Sequence, residues 1–261
     1  MKIIDFDGLF DEKLSAYISA NAGKYNEGEW EDIIPALYKK FGDTVIKSLG
    51  VTPRQYYAAM DDAELIKCLK AHLKQGVAVS GFLLDETEKR KRADLLLSML
   101  DGNKEECVCA INLLGAEDCA IKKYLEILVS TDDSELKEKC ADYIKEKADL
   151  VAADALEHYK AGRERELMLE IMSRSVVRNE EIFKALINEF RADDENLPMH
   201  AGHLAAYGDE RALEFLLDKI DSDGISFLEF QELKYAIESL GGRYDKERDF
   251  SEDPVYKLIK P

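Results

Sequence analysis

Apolar residues recur along the second half of the chain with the spacing of helices, and the pattern repeats about every thirty residues. Each copy has an apolar helix, a short polar break and a second amphipathic helix. The copies comprise residues 106–131, 136–162, 167–193 and 198–220. Residues at i, i+3, i+4 and i+7 share one face of a helix, so this pattern predicts an all-α structure of stacked helix pairs.

The second helix of each pair has the clearest apolar face, and the breaks carry helix-capping residues. In the third copy this face comprises Phe183, Leu186, Ile187 and Phe190. Asn179 precedes that helix, and Gly208-Asp209 occupies the break of the fourth copy. Asn and Asp accept hydrogen bonds from the first N–H groups of a helix, and glycine suits the left-handed residue that ends one. The breaks are therefore predicted to be tight turns between paired helices.

One segment resembles a known repeat family. The fourth copy contains Ala205-Ala-Tyr-Gly-Asp-Glu-Arg-Ala-Leu-Glu-Phe-Leu-Leu217, which is similar to the short HEAT-like repeat of phycobilisome lyase proteins. The resemblance covers about residues 103–220. It implies a right-handed α-α superhelix, a HEAT-like solenoid, that serves as a scaffold for protein binding. Repeats of this kind need capping elements at both ends, because a terminal repeat has an uncovered apolar face.

Both ends of the predicted solenoid have candidate caps. Residues 226–243 predict a capping helix, followed by a tail from which Phe250, Tyr256 and Leu258 are expected to pack back. Toward the N-terminus, helices are predicted off the repeat period at 9–22, 29–41, 53–60, 62–75 and 86–100. Thr52 before Pro53 predicts a helix start. We therefore expect an irregular helical N-terminal cap over 1–100 and HEAT-like repeats with their capping helix and tail over 101–261, as one continuous structural unit.

The net charge of the chain limits the classes of partner that it is expected to bind. The chain of 261 residues has 54 acidic and 36 basic side chains, for a formal net charge of −18. Such a molecule is repelled by nucleic acids and by anionic membranes unless its basic groups are segregated on one face. The longest basic run, 89–92, follows a cluster of acids and is interpreted as a solvated helix face. We expect neither a nucleic acid nor a membrane as partner.

The chain also has no signature of secretion or of a cofactor. Its first residues carry acids where a signal peptide needs basic residues and an apolar run, and no apolar stretch has the length of a membrane span. The 5 cysteines form no CxxC pair. We therefore expect a cytoplasmic protein without a cofactor.

Two segments resemble metal sites, but neither has a complete set of ligands. Asp221, Asp223 and Glu232 suggest a calcium-binding loop, yet either register of that loop lacks a ligand or its central glycine. His200 and His203 stand at i, i+3, whereas zinc needs two further ligands. We interpret the loop as a turn between helices and both histidines as residues on a surface between helices.

Five residues are candidates for contact with a partner: His200, His203, Arg243, Tyr244 and Arg248. The last three lie beside the edge of the final repeat, where solenoid ridges meet partners. The alternative for that segment is a tail held by salt bridges through Asp245, Glu247 and Asp249.

Three functions remain open at this point. The first is a non-catalytic scaffold that holds an unknown protein, with a basic segment, on its concave face, because opposite charge steers association. The second is a small-molecule, metal-binding or enzymatic solenoid with a pocket near the N-terminal cap, where Trp30, Tyr56, Tyr57 and His72 could meet. The third is nucleic-acid processing, which requires a segregated basic groove.

Overall fold

The chain is all-helical. The computed structural model describes residues 3–259, which form sixteen α-helices and no strand beyond an isolated bridge between Ile46 and Val51. The helices fall into two compact units, the first ending at Glu117 and the second beginning at Asp118. The predicted boundary at residue 100 differs from this division, which assigns the two helices of the first predicted copy to different units.

The first unit contains seven helices. They are α1 (Phe6–Ala20), α2 (Glu27–Gly42), α3 (Pro53–Ala58), α4 (Asp62–Gln75), α5 (Gly81–Arg90), α6 (Ala93–Leu97) and α7 (Lys104–Leu114). Their starts follow local chemistry. The side chains of Asn26, Thr52 and Asp61 each accept a hydrogen bond from the backbone N–H of the third residue of the following helix, and the backbone N–H of each donates to the side chain of that same third residue. The Thr52-Pro53 start is confirmed.

Aromatic side chains form much of the core of the first unit. Phe6 and Tyr57 are fully buried, and their ring centroids lie 5.5 Å apart in an edge-to-face arrangement. Tyr38 stacks on Phe82 at 4.5 Å. A Cβ on Gly42 would lie 2.5 Å from a ring carbon of Phe82, so α2 approaches α5 closely only because this residue is glycine.

The second unit contains the remaining helices. They are α8 (Asp118–Ser130), α9 (Ser134–Glu146), α10 (Ala152–Lys160), α11 (Arg165–Ser173), α12 (Glu180–Ala192), α13 (Leu197–Tyr207), α14 (Leu213–Ile220), α15 (Phe227–Ser239) and α16 (Pro254–Ile259). The predicted apolar face of α12 is confirmed, since Phe183, Leu186, Ile187 and Phe190 are all buried. Gly208 ends α13 with φ +69°, as predicted, and the carboxylate of Asp209 accepts from the backbone N–H of Arg211.

Contacts between helices of the second unit follow an alternating pattern along the chain. The odd-numbered helices form a row in which α9 contacts α11, α11 contacts α13, and α13 contacts α15. Each of α8, α10, α12 and α14 contacts the odd-numbered helix that follows it. Helices therefore contact mainly their near neighbours in sequence, the arrangement expected where successive helix pairs share one apolar core.

Hydrogen bonds also join loops that are one repeat apart. The Arg178 guanidinium donates to the carbonyls of Tyr207 and Gly208 at the end of α13. The Arg248 guanidinium likewise donates to the carbonyls of Ile220 and Ser222, just after α14. These arginines satisfy carbonyl groups that a helix leaves without partners at its C-terminus.

Three details differ from the sequence predictions. The helix predicted over 86–100 is broken at Lys91, whose φ of 49° is left-handed. Within the basic run 89–92, Lys89 and Lys91 are exposed as expected, whereas Arg90 and Arg92 both pair with Asp62. Leu258 does not pack back, being 82% exposed.

Candidate interaction surface

The structure buries the two histidines that were candidates for partner contact. His200 and His203 both lie on α13, with ring centroids 5.9 Å apart. His200 is 3% exposed, and its Nε2 lies 3.2 Å from Oδ2 of Asp193. His203 is 8% exposed, and its buried Nδ1 has no hydrogen-bond partner. In this fold both imidazoles belong to the packing of α13, so a partner could not reach them without a rearrangement.

Burial dominates the chemistry of His203. The pKa of its imidazole is lowered to about 4, mainly by loss of water around the ring; the neighbouring His200 and Arg174 also lower it, and Glu170 opposes them. The imidazole is therefore neutral at pH 7.

The tail candidates fall into two groups. Tyr244 is 7% exposed and donates its hydroxyl to Asp221 at 2.7 Å, and Arg248 caps α14 as described above. Arg243 is exposed, and its guanidinium pairs with Asp245, two residues further along the chain. The tail is thus held onto the last helices, although mainly by Tyr244, Lys246 and Arg248 rather than by the acids that the sequence indicated.

The calcium-like segment is a turn in this fold. The carboxylate of Asp221 is occupied by Lys246 and Tyr244, which lower its pKa, the lysine contributing most. Among residues 3–259, no group of three His, Cys, Asp or Glu side chains is arranged to hold a metal ion.

Two loops of the second unit present an apolar surface that the sequence analysis did not identify. Val176 and Val177, between α11 and α12, are 75% and 58% exposed. Leu150, between α9 and α10, is 41% exposed. We call these three side chains the apolar loop patch. The hydrogen bonds of Asp149 join the two loops that carry these side chains, and clusters of exposed apolar residues often mark sites of protein contact.

Asp149 fixes the geometry of the apolar loop patch. Its Oδ1 accepts from the Ser175 hydroxyl at 2.7 Å and from the backbone N–H groups of Val176 and Val177 at 2.9 and 3.3 Å. These bonds hold the pKa of Asp149 below its ordinary value, with the Ser175 hydroxyl as the largest cause. Since Leu150 directly follows Asp149, one carboxylate ties together the two loops that carry the patch.

The residues proposed for a pocket in the N-terminal region do not meet at one place. Tyr56 and Tyr57 contact each other and Phe6, whereas Trp30 packs against Tyr17 and Tyr25. His72 is fully buried, with Nδ1 2.8 Å from the carbonyl oxygen of Ala78. Tyr57 is also fully buried, so Tyr57 and His72 belong to the core of the first unit.

Comparison with protein-family models, with curated proteins and with solved structures found no match. Every helix within residues 3–259 is too short or too polar to cross a membrane.

Proposed function

We propose that the second unit is a HEAT-like α-α superhelix that binds a protein partner, and that the apolar loop patch is the centre of its contact surface. The alternating contacts of α8 to α15 support the repeat architecture. The observation that carries the function is the exposure of Val176 and Val177 on loops that Asp149 holds in place. No catalytic step is part of this proposal.

A surface that is ordered before binding suits this role. Three hydrogen bonds already hold the two loops together, so the loops lose little conformational freedom when a partner docks. Because the entropic cost of ordering them on binding is small, more of the interaction energy contributes to affinity. Fully burying an exposed valine contributes about 1.5 kcal/mol, and Val176 and Val177 are 75% and 58% exposed, so burying both contributes about 2 kcal/mol. Their loss would weaken binding by about 2 kcal/mol, or roughly thirty-fold.

Charge indicates the kind of partner. Most of the acidic excess of the chain lies after Asp118. A basic segment on the partner would be attracted to this unit over long range and would bind more weakly at high salt. The proposed partner is therefore a protein with apolar anchor residues near a basic segment.

The test is a quantitative comparison of proteins captured by the full chain and by the double variant Val176→Ser/Val177→Ser. Leu228→Ser/Tyr235→Ser is the matched control, since it also removes two exposed apolar side chains (51% and 65%) from the second unit. We expect a partner captured by the full chain and by the control at low salt, and lost with the valine variant. Equal capture by both variants would exclude the apolar loop patch as the contact site.

A further inference from the structure

The first unit contains a cavity between α1 and α2 that the proposed function does not use. Its volume is about 290 Å³. The lining comprises apolar and aromatic side chains with a few polar groups at the rim, namely Phe10, Lys13, Leu14, Tyr17, Leu37, Lys40, Phe41 and Thr44. An engineered apolar cavity of about 150 Å³ binds benzene, so this one has room for a ligand roughly twice that size.

The walls of the cavity are incompletely covered by the protein itself. Phe10 and Phe41 are buried at its inner end, with ring centroids 5.6 Å apart. Leu14, Tyr17 and Leu37 remain partly exposed, although each lies on the inner side of its helix. An apolar ligand would remove these side chains from water, which favours binding by about 25 cal/mol for each Å² buried.

Two lysines place positive charge at the rim of the cavity. Lys13 comes from α1 and Lys40 from α2, and the Lys13 ammonium lies 4.9 Å from the centre of the Phe41 ring. Neither ammonium forms an ion pair with any described residue. In a chain where acids outnumber bases 54 to 36, two unpaired cations at the rim of an apolar cavity are complementary to an anionic head group.

We infer that this cavity binds a small amphipathic carboxylate, with its apolar body between α1 and α2 and its carboxylate between Lys13 and Lys40. An eight-carbon fatty acid or a bicyclic aromatic acid has a body of roughly the required size. This site belongs to the first unit and is independent of the apolar loop patch.

The test uses octanoate as the probe and isothermal titration of the full chain as the assay. We expect a dissociation constant on the order of 0.1–1 mM for the unmodified protein. The double variant Lys13→Met/Lys40→Met should bind octanoate about ten-fold more weakly, since both attractive charges are lost. The control Lys39→Met/Lys47→Met removes two exposed lysines outside the cavity lining and should bind as the unmodified protein does.

Two analogues of octanoate complete the test, namely octanol, which is uncharged, and octylammonium, which is cationic. Octanol should bind all three proteins with similar, weaker affinity, and octylammonium should bind the unmodified protein at least ten-fold more weakly than octanoate. The inference is overturned if octanoate does not bind, if it binds equally to all three proteins, or if octylammonium binds as well as octanoate.

Discussion

Lowering the pH from 7 to 5 should destabilise the second unit through His203. Burial lowers the pKa of this imidazole from an ordinary 6.5 to about 4 in the folded protein. Between those two values the unfolded chain binds a proton that the folded chain does not, so the contribution to stability is complete above pH 6.5 and is lost as pH falls toward 4. For a single group with these two pKa values, the free energy of unfolding falls by about 2 kcal/mol from pH 7 to pH 5.

The assay is urea unfolding at several pH values, followed by circular dichroism, for the unmodified chain and for His203→Phe. Phenylalanine keeps an aromatic ring at this position and removes the titration. Groups distant from His203 contribute equally to both proteins, so the difference between their pH profiles reports the histidine together with its coupling to His200 and Glu170. We expect the profile of the variant to be flatter by about 2 kcal/mol over this range. Parallel profiles would refute the assignment of a buried neutral imidazole.

Four further substitutions test the local structure by thermal or urea unfolding. Gly208→Ala should lower the free energy of unfolding by about 1 kcal/mol, because φ is +69° at this position. Gly202 lies within α13 and faces open space, so Gly202→Ala should raise the free energy of unfolding by about 0.5–1 kcal/mol. Equal effects of the two substitutions would contradict the assigned conformations. Arg248→Ala should cost about 1–2 kcal/mol through two lost carbonyl bonds, and an unchanged midpoint would show that the tail is not held there. Asp149→Ala should cost a similar amount and also weaken partner capture, which distinguishes it from a purely structural change.

Helix positions in the second unit could be predicted because local signals and packing agree there. The face of α12 repeats with helical spacing, and Asn179, directly before the helix, caps two backbone N–H groups with one side-chain oxygen. Gly208 supplies the left-handed residue at the end of α13. Such signals lie within a few residues of one another, so no knowledge of the tertiary fold is needed to interpret them.

The break between α5 and α6 could not be predicted, because distant residues determine it. Lys91 adopts a left-handed conformation that is uncommon for a side chain larger than glycine or asparagine. Arg90 and Arg92, on either side of it, both pair with Asp62, about thirty residues earlier in the chain. The sequence alone indicates a basic run, without showing the carboxylate that binds it.

The apolar loop patch was missed for a related reason. Val176 and Val177 directly precede Arg178-Asn179, the predicted break of the third copy, and two apolar residues there continue no helical pattern. Their exposure depends on the position of Asp149, which lies nearly one repeat earlier. Two adjacent valines between predicted helices were the available signal, since turns usually carry polar residues. Conversely, His200 and His203 were candidates for contact with a partner, but packing around α13 buries them.

Site-specific photocrosslinking tests the proposed contact surface most directly. A photoreactive amino acid placed at Val177 should form a covalent adduct with one protein partner, and the yield should fall at high salt. The same amino acid at Tyr235, which is also well exposed in the second unit, should give no such adduct. An adduct that forms at Tyr235 and not at Val177 would contradict the account.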